Sequence, residues 1–322
     1  LEYVDVFVAD TLDSAKTGIE TSFHCCHTTT NVALEIRRIT AGLMLQNWNQ
    51  LPYQNLNSLY SNPIFPLPVA LKNRVMSPLS PPSFLQTGAP MKVLVEGPIT
   101  GGTRGRPFAA TMLDVEKLGY EEEEFLLSGT ATGFHDVDHS FSRRDGLWTV
   151  EPAEQSDYCT RLIVYRPKDP TVFNGSVVLL WNNVTVGHDL FEADSLELFE
   201  NGSALACLTI QKAGIEGLPP FKQGLSQWDP DRYGALSIAS DDYSYDIFTQ
   251  AARTLGPNRD TPIDPMAGFP VKHVIAQGAS QSASRLATYI NAIQPVEKVL
   301  DGFILSIYFG QAAPIEVFDE VI

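Results

Sequence analysis

The chain has 322 residues, 44% of them hydrophobic and 19% charged, enough for one large α/β domain plus an extension. A formal net charge of −16 argues against a nucleic-acid partner, because binding phosphate needs clustered Lys and Arg. No run of eighteen apolar residues occurs, so no membrane span is expected.

Residues 36–90 contain neither Asp nor Glu, and seven prolines crowd Pro63 to Pro90. Residues 1–90 therefore read as an irregular extension, with a helix over Asn31–Asn47, followed by a Pro-rich linker. The chain opens on Leu1 without the charged-then-apolar start of a secretory leader. Nothing in it names a compartment or an oligomeric state. Cys25, Cys26, Cys159 and Cys207 have no CxxC spacing and read as small hydrophobes rather than a metal or disulfide framework.

From Met91 onward strands and helices alternate. The pattern predicts strands over Glu123–Thr130 and Tyr158–Arg166, the first introduced by the acidic run Glu121–Glu124. Ser176–Trp181 is a near-continuous apolar strand, Asp189–Glu200 a helix stopped at Asn201-Gly202, and Ala204–Ile210 the next strand. A long stretch without clear elements, residues 211–241, reads as a lid or rim. Pro219, Pro220, Phe221, Trp228 and Tyr233 would offer it apolar area. A helix over Asp242–Leu255 follows, then a strand over Val271–Ala276, a helix ended by Gln294-Pro295, and a strand near Gly302–Ile307. This alternation predicts an α/β fold with a mostly parallel sheet covered by helices on both faces.

The segment Gly278-Ala279-Ser280-Gln281-Ser282 joins a strand directly to a helix whose face is Ala283, Leu286, Ala287 and Ile290. A serine at such a turn stands above a parallel sheet beside the positive end of a helix, as a nucleophile must. The pattern is G-x-S-x-S, with Ser282 in the position of the last glycine of G-x-S-x-G.

With Val95–Gly102, Phe125–Ala131, Trp181–Thr185, Trp228–Gly234 and Ser244–Phe248, this elbow resembles the α/β-hydrolase superfamily over about residues 91–322. The closer likeness is to a group described as alpha/beta hydrolase domain-containing proteins. The first ninety residues resemble no part of it. The resemblance implies an eight-stranded, mostly parallel sheet, Ser280 as nucleophile, and esterase-like hydrolysis of a small-molecule ester, in preference to an amide, through an acyl-enzyme. No metal or organic cofactor is implied.

The oxyanion hole needs two backbone donors. The N–H of Gln281 follows from the elbow, and the second is assigned to the Asn183–Gly187 loop, at Val184. Asn183 can also order that loop through its own backbone. Trp228 and Tyr233 are placed on the substrate rim.

The general base is missing from its ordinary place. In the α/β-hydrolase order the acid and the histidine follow the serine, yet the last histidine is His273, before Ser280. Seven strand residues put His273 roughly 23 Å away. His188 reads as a loop-stabilising histidine sooner than a substitute base. Asp301 falls at the wrong end of its strand, and Asp319 and Glu320 are assigned no role. The chain thus reads as a C-terminally incomplete hydrolase, lacking its last strands, with an exposed apolar sheet edge, and inactive or impaired as it stands. The alternative is a non-catalytic binding or scaffold protein on a hydrolase fold. His135-Asp136-Val137-Asp138-His139 reads as a polar turn rather than a metal cluster, and the glycines from Gly97 to Gly105 lack the ending of a phosphate loop.

Overall fold

Every residue of Ser176–Trp181 is buried, as a strand covered on both faces requires. The computed structural model describes residues 5–9 as backbone, and 93–316 apart from 138, 143–145, 147, 192–194 and 220–222. The strands in chain order are β1 (Asp5–Ala9), β2 (Leu94–Glu96), β3 (Tyr120–Asp136), β4 (Val150–Pro167), β5 (Ser176–Trp181), β6 (Ala204–Leu208), β7 (His273–Ala279) and β8 (Gly302–Ser306). They form one sheet in the order β1-β8-β7-β5-β6-β4-β3-β2. β1, β8, β7, β5 and β6 run parallel, and β4, β3 and β2 continue antiparallel.

Side-chain alternation along β5 builds two cores. Val177, Leu179 and Trp181 pack with Tyr245, Phe248 and Leu286 on one face, beneath helices α5 (Ser244–Leu255) and α6 (Gln281–Thr288). Val178 and Leu180 pack with Tyr120, Leu198, Phe199, Ile275 and Ile304 on the other, beneath α1 (Leu196–Glu200). The predicted α/β architecture with both faces covered is present.

Several boundaries differ from the sequence reading, each for a physical reason. β3 and β4 run 17 and 18 residues, about twice the predicted lengths, and form a long hairpin. The acidic run Glu121–Glu124 lies within β3, because distant arginines neutralise it. Glu121 and Glu123 pair with Arg166, and buried Glu124 pairs with Arg161 and Arg232. Of the helix expected over Asp189–Glu200, the described part is Leu196–Glu200, while Asp189 is buried against Arg161 and is not helical. Residues 211–241 are not without elements. They hold three short helices, α2 (Lys212–Glu216), α3 (Leu225–Trp228) and α4 (Pro230–Tyr233).

The sheet edge beyond β8 is paired, not open. β1 lies within the expected extension and runs parallel to β8 in the register Asp5↔Gly302 to Ala9↔Ser306. The expected helix Asn31–Asn47, the Pro-rich linker, Cys25 and Cys26 lie outside the described residues. Cys159 and Cys207 sit in β4 and β6 as predicted, neither in a disulfide.

Candidate active site

The parallel strands share one carboxyl-end rim, and the turn from β7 to α6 stands at its centre. Only Ser280 separates Ala279, the last strand residue, from Gln281, the first helical one. So abrupt a reversal forces Ser280 to φ 55° and ψ −113°, a conformation costing a non-glycine residue about 1–3 kcal/mol. The strain is held by anchors. Ser280 N–H donates to the carbonyl of Ser306 at 2.9 Å, and its carbonyl accepts from Ser284 N–H at 3.1 Å.

Gly278 permits the helix to cross back over the strand. A Cβ there would lie 2.9 Å from the backbone of Ser282 and 3.0 Å from Leu286 Cδ1. Ser282, the departure from the glycine pattern, is fully buried. Its hydroxyl accepts from Ala279 N–H at 2.8 Å and donates to the Ala279 carbonyl at 2.9 Å, locking the turn. Ser280 is only half-buried, and its hydroxyl has no hydrogen-bond partner among the described residues.

The loop after β5 is tied to this turn by Asn183. Its Nδ2 donates to the Ala279 carbonyl at 2.8 Å, and its Oδ1 accepts from Thr185 N–H at 2.8 Å. The loop is closed by Leu190 N–H on the Asn183 carbonyl, 2.8 Å, and by Gly187 N–H on the Val184 carbonyl, 2.9 Å. The N–H groups of Val184 and Gln281 have no acceptor among the described residues. Two unengaged donors thus lie on the two segments that Asn183 joins.

Beneath the loop lies a buried ionic network that the sequence reading did not find. Arg161 is wholly buried. Its guanidinium donates to Asp189 Oδ2 at 2.8 Å, to Thr209 Oγ1 at 3.1 Å and to the Phe108 carbonyl, with Glu124 at 3.5 Å. Burial alone would lower the Arg161 pKa, but Asp189, Tyr233 and Glu124 outweigh it and the net shift is upward. Asp189 Oδ2 also accepts from Asn182 Nδ2 at 3.1 Å, so the network fixes both ends of the Asn182–Asp189 loop.

The two residues assigned to the rim differ in burial. Trp228 is half-buried, its ring 5.3 Å from Phe108, with the Arg104 and Arg106 guanidiniums 5.7 and 5.9 Å from its centroid. Tyr233 is fully buried. Its hydroxyl donates to Glu124 Oε1 at 2.8 Å and accepts from Phe108 N–H at 3.2 Å. It is a core residue, because the Glu124 and Arg161 charges needed a partner inside. Pro219 is exposed, and Pro220 and Phe221 lie outside the described residues. Two exposed apolar residues that the sequence reading missed lie beyond the carboxyl end of β8. Ile307 and Phe309, 50% and 78% exposed, follow Ser306, the residue that holds Ser280 N–H. Their signal was their position directly after β8.

The contacts of His188, His273 and His135 are with residues other than Ser280. His188 Nδ1 lies 3.0 Å from its neighbour's carbonyl, Asp189 O, and its ring meets Phe108 edge-on at 5.4 Å. His273 opens β7 at the far end of the strand, 3.7 Å from Asp301. Asp301 bonds Val274 N–H there at 2.8 Å, as its position predicts. His135 Nδ1 lies 2.9 Å from Glu316 Oε1. No described histidine bonds Ser280, and Asp319 and Glu320 lie outside the described residues.

The glycine-rich segment serves Asp229. The N–H groups of Thr103 and Arg104 donate to its carboxylate at 3.1 and 2.8 Å, and a Cβ at Gly102 would lie 2.4 Å from Asp229 Oδ2. Burial pushes this carboxyl up, but the N–H groups of Arg104 and Thr103 outweigh it and hold it below the ordinary range.

A family model described as an alpha/beta hydrolase domain matches residues 95–321. No curated protein matches. Among solved structures, a glucuronoyl esterase from Solibacter usitatus is 12% identical with a TM-score of 0.25, over 67% of this chain and 50% of that one. Prolyl oligopeptidase B from Galerina marginata is 12% identical with a TM-score of 0.24, over 51% of this chain and 25% of that one. The chain thus spans half the length of the first and a quarter of the second, and at these scores neither bears on substrate. No described helix is long and apolar enough to cross a membrane.

Proposed function

The chain belongs to the alpha/beta hydrolase domain family, and from that premise we propose that it is a serine hydrolase of carboxylic esters, in preference to amides. Ser280 Oγ attacks the acyl carbon while its proton passes to a base. The tetrahedral oxyanion faces the N–H groups of Gln281 and Val184, the alcohol leaves with a proton, and water hydrolyses the acyl-enzyme. The observation that carries the reading is the strained Ser280 at φ 55°, on the same turn as the unengaged N–H of Gln281. Strain of this kind is retained where the surrounding structure demands it, commonly at reactive residues.

Ile307, Phe309 and Trp228 supply apolar area for an acyl or aryl group. No described histidine bonds Ser280 as a base. The same observation favours the second reading, a binding protein on a hydrolase fold. Hydrolysis of p-nitrophenyl acetate separates them. The ester hydrolase gives turnover or an acyl burst that Ser280→Ala abolishes. Release unchanged by Ser280→Ala, or none at all, favours the binding protein.

A further inference from the structure

Gln211 follows β6 and is 2% exposed. Its Oε1 accepts two hydrogen bonds, from Trp181 Nε1 at 3.2 Å and from Gln281 Nε2 at 3.0 Å. Its Nε2 donates to Asp241 Oδ2 at 2.7 Å. The polarity of this amide is dictated by its neighbours. A carboxylate faces its nitrogen, and two N–H donors face its oxygen, so the reverse orientation would oppose like groups on both sides. Asp241 is itself anchored by Lys212 N–H at 2.8 Å.

The two donors that meet at Gln211 Oε1 belong to the two segments of the proposed oxyanion hole. Trp181 ends β5 and leads directly into Asn182-Asn183-Val184. Gln281 carries the other backbone donor. A flip of the peptide between Ser280 and Gln281 would turn the Gln281 N–H out of the hole. Holding the Gln281 side chain opposes that flip. We infer that Gln211 is a positioning residue that holds the Gln281 and Val184 donors in one register through Trp181 and Gln281. This inference rests on the serine-hydrolase reading and extends it to a side chain that touches no substrate.

The test compares fluorophosphonate labelling of Ser280 in the unchanged protein, Gln211→Met and Gln211→Glu. In labelling, Ser280 Oγ bonds phosphorus, its proton passes to water, fluoride leaves, and the phosphoryl oxygen occupies the hole. Gln211→Met fills the space without an acceptor, and labelling slows roughly 10- to 100-fold, a misaligned donor costing somewhat less than a deleted one. Gln211→Glu keeps the acceptor but needs a proton to face Asp241, whose Oδ2 already pairs with the Arg285 guanidinium at 3.4 Å. Its labelling rate relative to the unchanged protein is therefore near one at low pH and falls as pH rises. A merely structural role would not produce that pH-dependent ratio.

Equal labelling of the unchanged protein and folded Gln211→Met overturns the positioning role and leaves the hydrolase reading standing. An unchanged protein that does not label at Ser280 overturns both. Should Gln211→Met fail to fold, the Gln211→Glu ratio decides, and a ratio flat with pH overturns the inference.

Discussion

Asn183 Nδ2 donates to the carbonyl of Ala279 at 2.8 Å, fastening the loop after β5 to the residue immediately before Ser280. That bond makes the spacing between the two proposed oxyanion segments a property of one buried side chain. Removing it strands the Thr185 N–H and leaves the Ala279 carbonyl with the Ser282 hydroxyl alone. Asn183→Ala is expected to lower unfolding stability by about 1–3 kcal/mol in a urea titration. It should also slow Ser280 acylation well beyond its effect on substrate affinity.

Gly278 is required for closeness rather than for a special backbone angle. The obstacles to a Cβ are the Ser282 backbone at 2.9 Å and Leu286 at 3.0 Å, and the backbone atoms cannot rotate away. Gly278→Ala should cost roughly 1–3 kcal/mol by thermal unfolding, in the manner of an overpacked core. A neutral result would mean that the crossing of α6 over β7 is looser than described.

Arg161 and Asp189 form a fully buried ion pair at 2.8 Å beneath the oxyanion loop. Asp189→Ala leaves the guanidinium with only Glu124 as charged partner, at 3.5 Å. A loss of about 3–5 kcal/mol is expected in chemical denaturation. Asp189→Asn, which keeps an acceptor, should lose less.

Asp246 supplies a pH signature. Burial raises its carboxyl pKa above the ordinary range, and the Thr132 N–H and the Gln250 amide only partly offset this. The folded protein therefore binds this proton more tightly than the unfolded chain. Its contribution to stability is present below the unfolded pKa and is lost as pH rises through the raised folded one. Both hydrogen bonds are accepted by Oδ2, an oxygen that asparagine reproduces. The stability of Asp246→Asn relative to the unchanged protein should thus increase as pH rises through that window, followed by urea midpoints. A difference independent of pH would contradict the assignment.

What could be read in the sequence was local. The bounds of β5, the strand-to-helix turn at Ser280 and the far-end position of Asp301 follow from neighbouring residues and were visible in periodicity and turn composition. What could not be read depends on distant partners. Glu121–Glu124 read as the introduction to a strand, without its partners, because Arg161, Arg166 and Arg232 lie far along the chain. Tyr233 looked like a rim aromatic because its burial is set by Glu124, 109 residues away. β1 pairs with a strand almost three hundred residues later. Gln211 carries no local pattern, since its role exists only where three strand ends converge.

The most direct test of the central claim is covalent capture of the nucleophile. The protein is incubated with a fluorophosphonate and its peptides are mapped by mass spectrometry. The account predicts one adduct, on Ser280, absent in Ser280→Ala. No adduct, or an adduct that persists in Ser280→Ala, would contradict it.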